Sequence, residues 1–102
     1  MTIDQIAEAV CEVHGIGEDE LYGRKRQRIM VLARQMMMCV MRKHLGMMLE
    51  DIGEHFEYHH TSIMHNISTC EDDVVYNPDI RDRYNEVLEM LGVSVSRLFV
   101  EI

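Results

Sequence analysis

His60, Thr61, Ser62, His65, Asn66 and Thr69 put six short hydrogen-bonding side chains within ten positions of this 102-residue chain. Hydroxyls both donate and accept, threonine adds a methyl, and an imidazole presents either role according to its tautomer. A block of cations precedes them. Arg24, Lys25, Arg26, Arg28, Arg34, Arg42 and Lys43 all lie between positions 24 and 45, where no Asp or Glu occurs. Elsewhere three basic residues face eighteen acidic ones, so the formal net charge of −8 conceals a strong segregation. An acidic molecule repels phosphate on average, but a segregated one can bind a polyanion with one side.

Other constellations are weaker. His55 and His59 share a helix face only if one helix runs through the residues between them, and His60 with His65 is a poor helical spacing for one ion. Surface or core histidines, with no metal site, are therefore expected. Protonating this histidine-rich stretch below about pH 6.5 is expected to tighten binding to phosphate. No catalytic residue is assigned: Thr61-Ser62 has no nucleophile-and-base pattern around it, and Glu71-Asp72-Asp73 reads as a solvated face. There is also no G-x-x-x-x-G-K-[ST] loop, so neither a nucleotide nor another cofactor is expected.

The elements that must position these residues are helices. Ile3, Ile6, Ala7 and Val10 recur at helical spacing behind Thr2, an N-cap type, and Gly15 ends that helix at about 3–14. Glu18–Tyr22 reads as one short turn of helix leading into the basic stretch. A long helix follows at about 27–44. At 100° per residue Ile29, Ala33, Met36, Met37 and Val40 share its apolar face. Arg28, Gln35 and Arg42 stack on the opposite side, which predicts an outward cationic ridge roughly 21 Å long. Most methionines of the stretch are expected in the core, where their flexible side chains fill gaps. Leu49, Ile52 and Phe56 predict a short helix at 49–57, with Gly53 where another backbone comes close. A tight turn then leads to a helix at 60–75 on Ile63, Met64, Ile67, Cys70 and Val74. Two helices so joined form a helix-turn-helix, whose second member would present the hydrogen-bonding residues. Asn77-Pro78 starts a last helix at 79–91, ended by Gly92.

With 47% hydrophobic and 27% charged residues the chain can build one core, and the expectation is a single domain over 1–92 with a tail at 93–102 that is either a strand or an arm. Cys11, Cys39 and Cys70 are an odd, widely spaced set in apolar contexts, which predicts reduced buried thiols. No apolar run reaches a bilayer-spanning length and no basic leader opens the chain. A cytoplasmic location with no membrane contact is expected.

Three motifs in order make the sequence recognisable: Ala33-Arg34-Gln35-Met36 behind a basic loop, Leu49 to Phe56 as L-x-x-I-G-x-x-F, and His59-His60-Thr61-Ser62-Ile63-Met64-His65. Together they resemble the C-terminal DNA-binding domain of the bacterial replication initiator DnaA, and helix one and the last helix also fit, over about residues 2–91. The resemblance implies an all-α helix-turn-helix bundle of about six helices, similar to the Trp repressor's, with double-stranded DNA as partner. It implies that Arg28 enters the minor groove and that His59, His60, Thr61 and Ser62 face the bases of the major groove. Arg24, Lys25, Arg26, Arg34, Gln35, Arg42, Lys43 and His65 would then lie along phosphates.

Two departures bear on specificity. His59 stands where the family carries an acid that accepts a hydrogen bond from a base amine. The family's glycine-rich turn is replaced by Glu57-Tyr58, one residue shorter. With no ATPase segment in the sequence, the expectation is a stand-alone, non-enzymatic reader of a short duplex site that regulates replication or transcription. The competing reading is a protein-interaction module of the same fold with weak or lost DNA binding. The strongly acidic remainder and the Met-rich helix favour that reading, and a homodimer or a replication-protein partner stays open under both.

Overall fold

Thr2 Oγ1 accepts the backbone N–H of Gln5 at 3.1 Å, and Gln5 Oε1 accepts that of Thr2 at 2.9 Å. This reciprocal cap satisfies two otherwise orphan donors and starts helix α1 (Ile3–His14). Gly15, at φ 66°, ends it in the left-handed conformation that glycine adopts without a Cβ clash. The computed structural model describes residues 1–93, and its further helices are α2 (Glu18–Leu21), α3 (Arg28–His44), α4 (Leu49–Phe56), α5 (His60–Tyr76) and α6 (Pro78–Met90). No strand occurs among the described residues, so the chain is an all-α bundle. The expectation of a strand or arm at the C-terminus falls on residues 94–102, outside those described.

Helix α3 is the axis of the bundle and packs against α1, α2, α4 and α5. Every residue from Leu32 to Met41 is buried, with Met36, Met37, Met38 and Met41 at most 1% exposed. Each such side chain contributes roughly 1.5–3 kcal/mol by leaving water. The methionines of α3 are thus core, as expected, but Met48 is 62% exposed at the start of α4. Burial on all sides also removes the continuous cationic ridge anticipated along α3. Arg28 and Arg42 are exposed at its two ends, while Gln35 between them is covered by α5. Periodicity alone marks Gln35 as polar and outward; a hydrogen-bonding partner across the interface overrides it.

Helices α4 and α5 form the helix-turn-helix, joined by Glu57, Tyr58 and His59. Tyr58 N–H donates to Gly53 O at 2.9 Å, and a methyl at Gly53 would stand 2.6 Å from Tyr58 O. The close backbone approach anticipated at Gly53 is therefore what closes this turn, and alanine cannot replace it without moving α4. Ile52, Phe56, Ile63, Ile67, Cys70 and Val74 bury the inner faces of the pair. Asn77 Oδ1 accepts from Asp79 and Ile80 to cap α6, which starts on Pro78 and packs Ile80, Tyr84, Val87 and Leu88 against α1 and α5. The three cysteines are free and buried. No described helix is long and apolar enough to cross a membrane.

Candidate nucleic-acid interface

Arg34 is the least expected residue of the region. It is only 6% exposed, and its guanidinium donates to three backbone carbonyls: Leu21 at 2.8 Å, Lys25 at 2.7 Å and Glu20 at 3.1 Å. Each nitrogen of the buried guanidinium thus meets a carbonyl dipole, which makes burying the cation tolerable. Arg34 therefore holds the loop that carries Arg24, Lys25 and Arg26 instead of facing outward with them. Gln35 is similarly placed. At 7% exposed it donates from Nε2 to Asn66 Oδ1 at 3.0 Å, and Asn66 Nδ2 donates onward to Ser62 O at 2.8 Å. This chain ties α3 to α5 and occupies Asn66, which the sequence presents as an outward hydrogen-bonding residue. Burial thus takes both Arg34 and Gln35 off the phosphate-facing surface on which they were expected.

The remaining basic residues stay exposed, with Arg24 and Arg26 on one side of α5 and Arg42 and Lys43 on the other. On one flank Arg24, Arg26, Val31, Arg34, Met38, Tyr58, Ser62 and Asn66 line a groove of about 590 Å³. Arg24 lies 4.9 Å from the centroid of the Tyr58 ring, a cation–π geometry, and 3.8 Å from the Glu57 carboxylate. On the other flank Arg42, Lys43, Leu49, Met64, Ile67 and Glu71 line a second groove of about 440 Å³. There Lys43 Nζ meets Glu71 Oε2 at 2.9 Å, which raises the lysine's pKa, and Arg42 donates to Met47 O at 2.8 Å. Ser62 and Asn66 on one side and Met64, Ile67 and Glu71 on the other are opposite flanks of one helix by their spacing. Between them Thr61, Ser62 and His65 are exposed on the N-terminal half of α5, while His60 is half-buried. Arg28 is exposed at the first position of α3 but does not line either groove. Arg24 and Arg26 on one flank and Arg42 on the other are the exposed arginines that line the grooves beside α5.

Aromatic packing holds the turn. Tyr22 Oη lies 2.8 Å from His55 Nε2, and the Tyr22, His55 and Phe56 rings pack with centroids 5.2 to 5.6 Å apart. Burial, aided by Glu18, pushes the Tyr22 hydroxyl up to about 12, so it keeps its proton beside His55 Nε2. This joins the end of α2 to the end of α4, fixing the basic loop against the helix-turn-helix. No sequence motif marks that pairing, because 33 residues separate its members. At the start of α5, His59 Nδ1 accepts the Thr61 backbone N–H at 3.2 Å and lies 2.7 Å from Thr61 Oγ1. His59 is the N-cap of α5. Placing a proton on its Nδ1 would cost that cap.

A polar helix start carried by a tight helix-turn-helix, with cations on both flanks, defines a DNA-binding class of domain. The comparisons with known proteins agree with that class. The family model described as bacterial dnaA protein helix-turn-helix matches residues 3–69, and the chain belongs to this family. Over 72 residues, 70% of the chain, it is 38% identical to the chromosomal replication initiator protein DnaA of Synechococcus sp. (strain JA-2-3B'a(2-13)). It is 31% identical over 74 residues, or 72% of its length, to the protein of that name from Oleidesulfovibrio alaskensis, and 28% identical over 69 residues, or 68%, to that from Pseudothermotoga lettingae. These alignments cover only 15 to 16% of the relatives, so the chain corresponds to about one sixth of their length.

Proposed function

We propose that this protein binds double-stranded DNA in a sequence-specific manner and regulates replication or transcription by occupying a short site on the nucleoid. The observation that carries the reading is the pair of cationic flanks on either side of α5. A major groove is about 12 Å wide and admits one helix, with a phosphate backbone along each rim. Inserting the N-terminal half of α5 puts Thr61, Ser62, His60 and His59 toward base edges. Arg24, Lys25 and Arg26 then face one backbone and Arg42 and Lys43 the other, with His65 farther along the helix. Arg28, exposed at the start of α3, is proposed to reach the adjoining minor groove, whose negative potential attracts a guanidinium. Arg34 and Gln35 support the interface from beneath, and the reading assigns them no phosphate.

Selection of bound duplexes from a random pool tests the proposal. Enrichment of one short motif is expected, and Thr61→Ala should weaken binding to that motif by roughly tenfold while leaving non-specific binding intact. Failure to retain any duplex at low salt would overturn the reading. The interaction-module alternative would gain if a stable dimer or a defined protein complex appeared in its place.

A further inference from the structure

The start of α5 assigns hydrogen-bond roles atom by atom. A backbone N–H can only donate, so the 3.2 Å contact from Thr61 N makes His59 Nδ1 an acceptor. The ring's proton therefore sits on Nε2. The Thr61 hydroxyl, 2.7 Å from the same Nδ1, must also donate to it, which leaves the lone pairs of Thr61 Oγ1 and its methyl facing outward. The His59 ring packs on His60 with centroids 4.3 Å apart and planes 34° from parallel, which holds its orientation. His59 is exposed, and among the described residues no group bonds its Nε2.

We propose that His59 is a specificity-determining residue, presenting a fixed Nε2–H donor to the major groove and thereby selecting, at one base pair, a base whose edge accepts a hydrogen bond. The inference rests on the DNA-binding reading above. Guanine offers O6 and N7 in that groove, thymine O4 and adenine N7, whereas cytosine offers only its N4 amine. Cytosine is thus the base that His59 rejects, because two donors would face each other. A carboxylate at this position does the reverse: it accepts, so it favours the amine-bearing cytosine or adenine and rejects guanine and thymine. Cap chemistry and base choice are coupled, since Nδ1 is committed to the cap and only Nε2 is left to read.

His59→Asp is the informative variant, since aspartate is itself a good N-cap and preserves α5. Both proteins, as the full 102-residue chain, are put through duplex selection, with circular-dichroism melting as the control for folding. Wild type is expected to enrich guanine or thymine at one column and to deplete cytosine there by roughly tenfold. In His59→Asp that single column should change to cytosine or adenine, with the other columns unchanged. His59→Asn, whose Oδ1 must take the cap and leave only its amide donor to read, should keep the wild-type preference at that column. The same column preference in all three proteins would overturn the proposal, as would a uniform flattening of every column in His59→Asp, the mark of a purely structural cap. Loss of all duplex binding in wild type would instead overturn the function on which the inference rests.

Discussion

Arg34 is a side chain that can matter to the proposed DNA interface from beneath it. Its three donors go to the carbonyls of Glu20, Leu21 and Lys25, so removing it leaves buried acceptors unmet and frees the loop bearing Arg24, Lys25 and Arg26. Unsatisfied buried groups cost about 1–3 kcal/mol each, and some of these carbonyls can recover water. Arg34→Met is therefore expected to lower stability by about 2–4 kcal/mol in urea denaturation. At temperatures where the variant remains folded, duplex affinity should fall by roughly tenfold while the dependence of log K on log salt keeps its slope. A residue contacting phosphate behaves differently, because its loss reduces that slope by about 1. A reduced slope in Arg34→Met would return Arg34 to the surface. The sequence identifies this arginine through its family motif but cannot show which way it points: its partners are backbone carbonyls, and those are chemically identical at every position.

At the scale of elements, the α4–α5 turn concentrates both the strain and the departure from the family. Glu57 ends α4 in the left-handed region, at φ 59°, the only described non-glycine residue with positive φ. That conformation costs an ordinary residue about 1 kcal/mol or more relative to glycine. The compensating ion pair is weak, since Arg24 and Glu57 are 3.8 Å apart with side chains 63% and 83% exposed. Glu57→Gly should therefore raise the melting temperature by a few degrees, for a net gain of roughly 0.5–1 kcal/mol. It also frees Arg24 from its carboxylate, so duplex binding should tighten and its salt dependence steepen. A melting temperature lowered by the change would mean that the ion pair or the Glu57 stem outweighs the backbone strain. Much of this architecture is legible in the sequence. Thr2, Gly15, Gly53, Asn77-Pro78 and Gly92 are local signals with fixed backbone meanings, and the helices begin and end within a residue or so of where those signals stand. The ridge that periodicity predicts along α3 is interrupted for a physical reason: periodicity reports polarity, and a polar face can be covered when its partner is also polar, as Gln35 is by Asn66. The Tyr22–His55 link and the cation–π pair of Arg24 with Tyr58 arise from chain segments brought together only by folding.

For the whole molecule, the question is how a chain of net charge −8 can approach a polyanion. The cations flank the N-terminal half of α5, and Glu71, Asp72 and Asp73 stand toward its other end. Repulsion from these acids disfavours an approach that leads with the C-terminal end of α5, so they help orient the encounter as they weaken it. The number of phosphates neutralised follows from which cations are free to meet them. Lys25, Arg26, Arg28 and Arg42 are exposed, Arg24 is exposed but lies 3.8 Å from the Glu57 carboxylate, Arg34 is buried, and Lys43 is engaged by Glu71 at 2.9 Å. Four or five phosphate contacts give a slope of roughly −3.5 to −4.5 for log K against log salt, or a loss of about two to three orders of magnitude between 50 and 200 mM. Fluorescence-anisotropy titrations of a labelled duplex across that range measure it directly. Glu71→Gln supplies the internal control: it releases Lys43 to a phosphate, so the slope should become more negative by up to about 1 while the Arg34→Met slope stays at the wild-type value. A slope shallower than about −2 in wild type would mean that the two cationic flanks do not engage their backbones together. The placement of α5 between them in a single groove would then fail, whatever the affinity.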